Sequence, residues 1–145
     1  MITNRYLEPA DYEALQYSLA MDEHHNDTPL EFFLEQGTVT SVYEDKNGPA
    51  MYVRGKPLML HVGEDTSVMV LRLDIQYVSN DDGLRNARIM KKGFAELETK
   101  ALANGFRVIV FESNVEALRS YAIRVLGFTP LYDPEWSDWL VKVLH

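Results

Sequence analysis

Arg85, Arg88 and Lys92 recur at a spacing of three and four residues. At ~100° per residue a helix places them on one stripe, opposite Met90, Phe94 and Leu97. A cation near a helix N-terminus opposes the macrodipole, at a cost of about 0.3–1 kcal/mol, and a bound anion would offset that cost. The stripe therefore reads in two ways. It is a phosphate-binding face, or it is a solvated face neutralised by the neighbouring Asp81 and Asp82. A second cluster, His24 and His25, stands beside Asp22, Glu23 and Asp27. Adjacent residues do not share a helix face, so a metal site there would need ligands from elsewhere. The cluster reads as a polar loop and no metal is expected.

Composition narrows the chemistry further. The chain has no cysteine, which excludes disulfides, thiolate metal ligands and thiol catalysis together. The net charge of −8 argues against a nucleic-acid partner, which usually needs a basic face. No apolar run approaches the ~20 residues of a membrane helix. The N-terminal MITNRYLEPADYEAL lacks the layout of a signal peptide, so a cytoplasmic location is expected. With 145 residues and no linker or repeat, a single domain over residues 1–145 is expected.

The elements that must position these residues follow from periodicity. Ile2 to Leu7 predicts a short strand. Pro9 then suits a first helical turn, and Tyr12, Leu15 and Leu19 form one apolar stripe. Thr28-Pro29-Leu30-Glu31 predicts a capping box and a short helix that Gly37 ends. From Thr38 the period becomes two. Thr38–Glu44 and Ala50–Arg54 flank an Asn47-Gly48 turn, and Pro57–Val62 and Ser67–Val78 flank Gly63-Glu64-Asp65. In the last strand Leu71, Leu73, Ile75 and Tyr77 make an apolar face, while Arg72, Asp74 and Gln76 make a polar one. A long helix with Met90, Phe94, Leu97 and Ala101 on its core side stops at Asn104-Gly105. Phe106–Glu112 predicts a buried strand. Asn114 is placed to cap a helix over Val115–Leu126. Thr129–Tyr132 and Trp136–Val143 predict a closing hairpin, with Trp136 and Trp139 as packing residues.

The run from Arg85 to Phe128, RNARIMKKGFAELETKALANGFRVIVFESNVEALRSYAIRVLGF, spells helix, strand, helix, with Gly-Phe after each helix. It resembles the C-terminal half of the acetyl-CoA-dependent N-acyltransferases, the Gcn5-related superfamily. By topology the resemblance covers most of the chain, and by residues about 71 to 128. It implies an α/β, acyl-CoA N-acyltransferase-like fold, with a central mixed, mostly antiparallel sheet flanked by helices. In that family a loop with the pattern Gln/Arg-x-x-Gly-x-Gly/Ala and the following helix start hold the coenzyme A pyrophosphate, as helix N-termini hold anions generally. Counting back from Gly105 without gaps places the pattern on Arg85, Asn86, Ala87, Arg88, Ile89 and Met90. Arg85 matches, and Arg88 and Met90 occupy the small-residue positions. A shifted alignment uses Gly83 and Ala87 and lengthens the helix by about a turn. The second block fits through Asn114, Ala117 and Tyr121, with the interval from Tyr121 to Gly127 two residues longer than usual. Small phage-encoded members are similar in lacking the glycines.

The resemblance also implies roles. Tyr121 would be the general acid that protonates the departing thiolate, and Asp74 the base that deprotonates the amine. The backbone of Ile75, Tyr77 and Val78 would hold the pantetheine arm and the thioester carbonyl. Arg85 to Met90 and Asn114 would contact the coenzyme, with arginine side chains replacing the glycine contacts. The segment holding His24 and His25 would line the acceptor pocket. Other roles compete at each position: Asp74 paired with Arg72, Tyr121 as a half-buried packing residue, Asn114 as a helix cap. The expected activity is acetyl transfer from acetyl-CoA to an amine of unknown identity, a small molecule or a protein, by direct attack. The alternative is an inactive module of the same fold, phage-associated, acting as a binding or structural protein. An oligomer is compatible with both.

Overall fold

The structure, a computed structural model, describes residues 2–61, 63–78, 83–131 and 134–145, and the side chains of all these except 60, 61 and 83–85. Asp81 and Asp82, expected to neutralise the basic stripe, lie outside the described residues, as does the side chain of Arg85. The chain forms β1 (Thr3–Tyr6), a 3-10 turn (Pro9–Asp11), α1 (Tyr12–Met21) and a second 3-10 turn (Leu30–Leu34). Then come β2 (Val39–Asp45), β3 (Gly48–His61), β4 (Ser67–Tyr77) and α2 (Gly83–Ala103). The last part holds β5 (Val108–Glu112), α3 (Glu116–Arg124), β6 (Thr129–Pro130), a 3-10 turn (Pro134–Trp136) and β7 (Trp139–Val143). The strands hydrogen-bond in the order β1-β2-β3-β4-β5-β7-β6. The β4–β5 pair is parallel, whereas β1–β2, β2–β3, β5–β7 and β6–β7 are antiparallel.

Two compact units divide the chain, Met1–Lys56 with Asp74–Gly93, and Pro57–Leu73 with Phe94–His145. In the first, β1, β2 and β3 form a meander closed at Asn47-Gly48, where Gly48 has φ 100° and needs no Cβ. Ala50 is the extra residue of a bulge, because Tyr43 pairs with Met51 and Glu44 with Pro49. The α1 stripe buries Leu15 and Leu19 against Phe33, Val42 and Tyr52. Gly93 lets α2 approach β2 and β3, since a Cβ there would lie 3.0 Å from Met51 Cε and 3.3 Å from Tyr43 Cδ1. Arg5 ties β1 to the first turn, with bonds of 2.6 and 2.7 Å to the Asp11 carboxylate and 3.0 Å to Glu44.

In the second unit β4 and β5 pair from Val70–Val108 to Leu73–Phe111, and β7 covers the other edge of β5. Phe94, Phe111 and Phe128 form the core, with ring centroids 5.0–6.0 Å apart. The two Gly-Phe stops differ. At the end of α2, Phe106 N–H donates to Ala101 and Gly105 N–H to Leu102, with Gly105 at φ 89°, the paired bonds of a Schellman closure. At the end of α3 the turn is wider: Leu126 N–H donates to Tyr121 and Phe128 N–H to Ala122.

Three local expectations are corrected. The Thr28–Glu31 capping box does not form; the segment is a 3-10 turn with Pro29 at the N-cap and no side-chain cap bond. Pro29 is extended, and the Thr28 N–H is already taken by His25 O. Ala50–Arg54 and Pro57–His61 are one strand, β3, because β2 ends opposite Gly55 and Pro57 falls beyond that ladder, where its missing N–H costs nothing on the β2 side, while Val62 lies outside the described residues. Asn114 is exposed and does not cap α3; Val115 is the N-cap, and Ser113 Oγ accepts the Val115 N–H at 3.2 Å.

Phe111→Ala is expected to lower stability by about 3–5 kcal/mol, read by urea unfolding, because it empties the centre of the phenylalanine cluster. A second expectation concerns pH. The Arg5 guanidinium holds the Asp11 carboxyl below its ordinary value. The stability this supplies is complete above about pH 4, the unfolded value, and is lost as pH falls through the lower folded value. Asp11→Asn should therefore flatten the acid side of the stability–pH curve while leaving its slope near neutrality unchanged.

Candidate functional site

The strand β4 outruns its parallel partner. Its ladder to β5 ends at Leu73, and Asp74 to Tyr77 continue the strand within the first unit. Val78 N–H donates to Ala50 O on β3 at 2.9 Å. Backbone groups alternate between the two edges of a strand, so Ile75 and Tyr77 turn theirs to the edge away from β3. The Val78 N–H is thus committed to β3.

On the polar face of β4, Arg72 and Asp74 are partly exposed and Gln76 is buried. Gln76 is 1% exposed and is the centre of a network. Its Nε2 donates to Ser18 Oγ at 3.0 Å, Asp22 Oδ2 at 3.1 Å, Tyr77 O at 3.0 Å and, more weakly, Ser18 O at 3.3 Å. Its Oε1 lies 2.6 Å from His25 Nδ1. The polar loop is thus tied to β4 through His25, while the His24 ring stays beside Glu23 at 3.5 Å. Among the described residues no group of three or more His, Asp or Glu is placed to hold a metal.

Asp74 is occupied. Its Oδ2 accepts from Arg54 Nη1 at 2.9 Å. Arg54 is 1% exposed, bonds the Phe32 carbonyl at 2.7 Å and Glu35 through Nη2, and lies 3.9 Å from the centroid of the Phe32 ring. Lys56 also pairs with Glu35, and together these cations hold the Glu35 carboxyl below its ordinary value. Asp74 is therefore a counter-charge to a buried guanidinium. The expected Arg72 lies instead over the Trp139 ring at 5.3 Å, in the second unit. Arg54 escaped the sequence reading, although a signal was there: a lone charge ending the apolar run Ala50-Met51-Tyr52-Val53 requires a buried partner.

Helix α2 starts at Gly83, so Arg85 to Met90 are helical and not a loop. Only the first four N–H groups of a helix lack internal partners, which removes Ala87, Arg88, Ile89 and Met90 from any backbone cradle. Ile89 and Met90 are buried, Asn86 and Ala87 half-buried, and Arg88 and Lys92 exposed. The gap-free placement of the phosphate pattern thus falls inside α2. The last two candidates lie in the second unit: Asn114 is exposed, and Tyr121 is half-buried on α3. Trp136 and Trp139 pack on each other at 6.2 Å. Among the described residues no helix is long and apolar enough to cross a membrane.

No protein-family model and no curated protein sequence matches the chain. Solved structures do. An aminoglycoside 6'-acetyltransferase type Ii is similar at TM-score 0.69 and 15% identity, over 97% of this chain and 96% of that one. A mutant of the toxin AtaT, bound to the C-terminus of the antitoxin AtaR and acetyl-CoA, is similar at TM-score 0.68 and 15% identity, over 98% and 92%. The chain has the acyl-CoA N-acyltransferase fold. An N-acetyltransferase from Staphylococcus aureus Mu50 shares that fold at TM-score 0.66 and 14% identity, over 99% and 97%. The α/β architecture and the mixed, mostly antiparallel sheet read from the sequence are thus those of this fold.

If Asp74 serves Arg54, Asp74→Asn should lower stability by roughly 1–3 kcal/mol, because a charge-assisted bond to a buried cation is weakened. Chemical denaturation of the variant checks this, and an unchanged midpoint would return Asp74 to the role of a free carboxylate.

Proposed function

We propose that the protein transfers an acetyl group from acetyl-CoA to an amine acceptor. One observation carries the reading: β4 extends past its parallel ladder and is followed, a few residues later, by the N-terminus of a 21-residue helix. A pantetheine arm needs an extended backbone edge with amide groups, and Ile75 turns its own outward from β3, whereas Tyr77 O already accepts from Gln76 Nε2 and Ser18 Oγ. A pyrophosphate needs unpaired N–H groups and positive charge, which the start of α2 at Gly83 supplies, with Arg85 and Arg88 within its first two turns. The similarity to an acetyl-CoA-bound AtaT mutant supports the same ligand here. Acetyl-CoA would bring the activated thioester. Tyr121 keeps the role that the resemblance implies, as proton donor to the thiolate, and Asn114 that of a coenzyme contact. Asp74 does not keep the role of base, because Arg54 holds its carboxylate. A reaction that consumes acetyl-CoA suits a cytoplasmic location.

The inactive-module reading, including its phage-associated form, rested on Arg88 and Met90 blocking the phosphate loop. Both residues lie inside α2, one exposed and one in the core.

Thermal unfolding with acetyl-CoA tests the proposal. A ligand at 100 times its Kd stabilises the native state by about 2.7 kcal/mol, so the midpoint should rise with acetyl-CoA concentration. Arg88→Ala should weaken the rise, and Tyr121→Phe should preserve it while slowing turnover on the order of 100-fold. A midpoint indifferent to acetyl-CoA up to millimolar concentration would select the inactive module.

A further inference from the structure

The network around Gln76 determines the state of a histidine that the reading so far leaves without a role. An amide side chain can be turned end for end, and its partners decide the orientation. Here one end of the Gln76 amide faces four oxygens: Ser18 O, Ser18 Oγ, Asp22 Oδ2 and Tyr77 O. Three of them, two carbonyls and a carboxylate, can only accept. That end must be the NH2 group, so the other end is the carbonyl oxygen, an acceptor. It lies 2.6 Å from His25 Nδ1. Two acceptors cannot meet at that distance, so Nδ1 carries the proton. Asp22 Oδ2, 3.6 Å from the same nitrogen, favours the same arrangement. A neutral imidazole protonated at Nδ1 has its lone pair at Nε2. The side chain is 41% exposed, and Gln76 holds its Nδ1.

We propose that His25 is the general base of the amine acceptor, its Nε2 lone pair presented by Gln76 beside the β4 segment Ile75–Val78. The inference rests on the acetyl-transfer reading and adds the group that the reading lacks. Three elements of the first unit face the imidazole or its partner: Ser18 from α1, Asp22 from the loop, and Gln76 from β4. The ionisable neighbours of His25 among them are Asp22, and beyond it the Glu23–His24 pair. In the reaction Nε2 takes one proton from the ammonium R–NH3+, becoming imidazolium. The freed nitrogen lone pair forms the C–N bond to the thioester carbonyl carbon, and the C–S bond breaks. The thiolate sulfur takes the second proton lost by nitrogen. The imidazolium returns its proton to solvent. The sum is R–NH3+ plus acetyl thioester to N-acetyl amine, thiol and one proton.

Two measurements test this separately from the acetyl-CoA proposal. The first is long-range proton–nitrogen NMR of the histidine rings in the free full-length chain near neutral pH. His25 should show a protonated Nδ1 and a bare Nε2, and Gln76→Met, which keeps the side-chain volume, should lose that preference while remaining folded. A His25 ring protonated at Nε2 in the wild type overturns the inference even if acetyl-CoA binds. The second is thiol release from acetyl-CoA with propylamine as the acceptor. His25→Gln should lower kcat on the order of 100-fold with KM for acetyl-CoA unchanged, and should remove the acidic limb of the pH–rate profile. A His25→Gln rate within threefold of wild type, or a retained acidic limb, overturns it. So does a wild-type chain that binds acetyl-CoA yet releases no thiol with propylamine. A chain that does not bind acetyl-CoA, but shows the Nδ1-protonated ring, would instead fail the acetyl-transfer reading and leave the Gln76 network as described.

Discussion

A guanidinium buried to 1% exposure in a strand dictates much of the first unit. Removing such a charge from water costs several kcal/mol, and only close counter-charges and well-made hydrogen bonds offset that cost. Arg54 obtains them from three partners: the Phe32 carbonyl and Glu35 from the 3-10 turn and its end, and Asp74 from β4. The turn of Leu30–Leu34 has neither the length nor the cap to hold itself in place. Its position follows from Arg54, with the Phe32 ring stacked on the same cation and Thr40 Oγ1 donating to Phe33 O at 2.8 Å.

The same logic recurs one residue pair along β4. Gln76, neutral and buried, satisfies its amide through α1 and the loop that follows. Arg54 and Gln76 therefore secure two different loops to two neighbouring strands, one by charge and one by neutral bonds. The difference matters for function. A carboxylate neutralising a buried arginine is a poor candidate for proton transfer, whereas an amide acceptor holds His25 through Nδ1 alone. The division of labour between Asp74 and His25 follows from which partner each residue met.

Across the fold, the glycines and the apolar periodicities were legible. Gly105 and Gly127 both adopt positive φ at helix ends, and Leu15, Leu19, Phe94, Leu97 and Ala101 all face a core, because stripes and stops are local properties. Capping was less legible. Thr28 and Asn114 are suitable cap residues by type, but each lost the position to competing backbone geometry, an extended Pro29 in one case and a Ser113 hydroxyl in the other. The start of α2 was less legible as well. Counting back from Gly105 assumes a helix length, and α2 is about a turn longer than the assumption allows.

The amino-acid sequence alone determined the order of elements, the core stripes and the likeness to an N-acyltransferase, since these depend on short-range periodicity and on motifs read along the chain. It also named Arg85 and Arg88 as cations near a helix start and His25 as a loop histidine. The tertiary structure decided which polar residues are partners. Arg54 with Asp74 and His25 with Gln76 are 20 and 51 residues apart. No local rule links such pairs. They arise because β3, β4 and the loop after α1 bury polar groups together, and a buried polar group must be met by whatever the fold brings beside it.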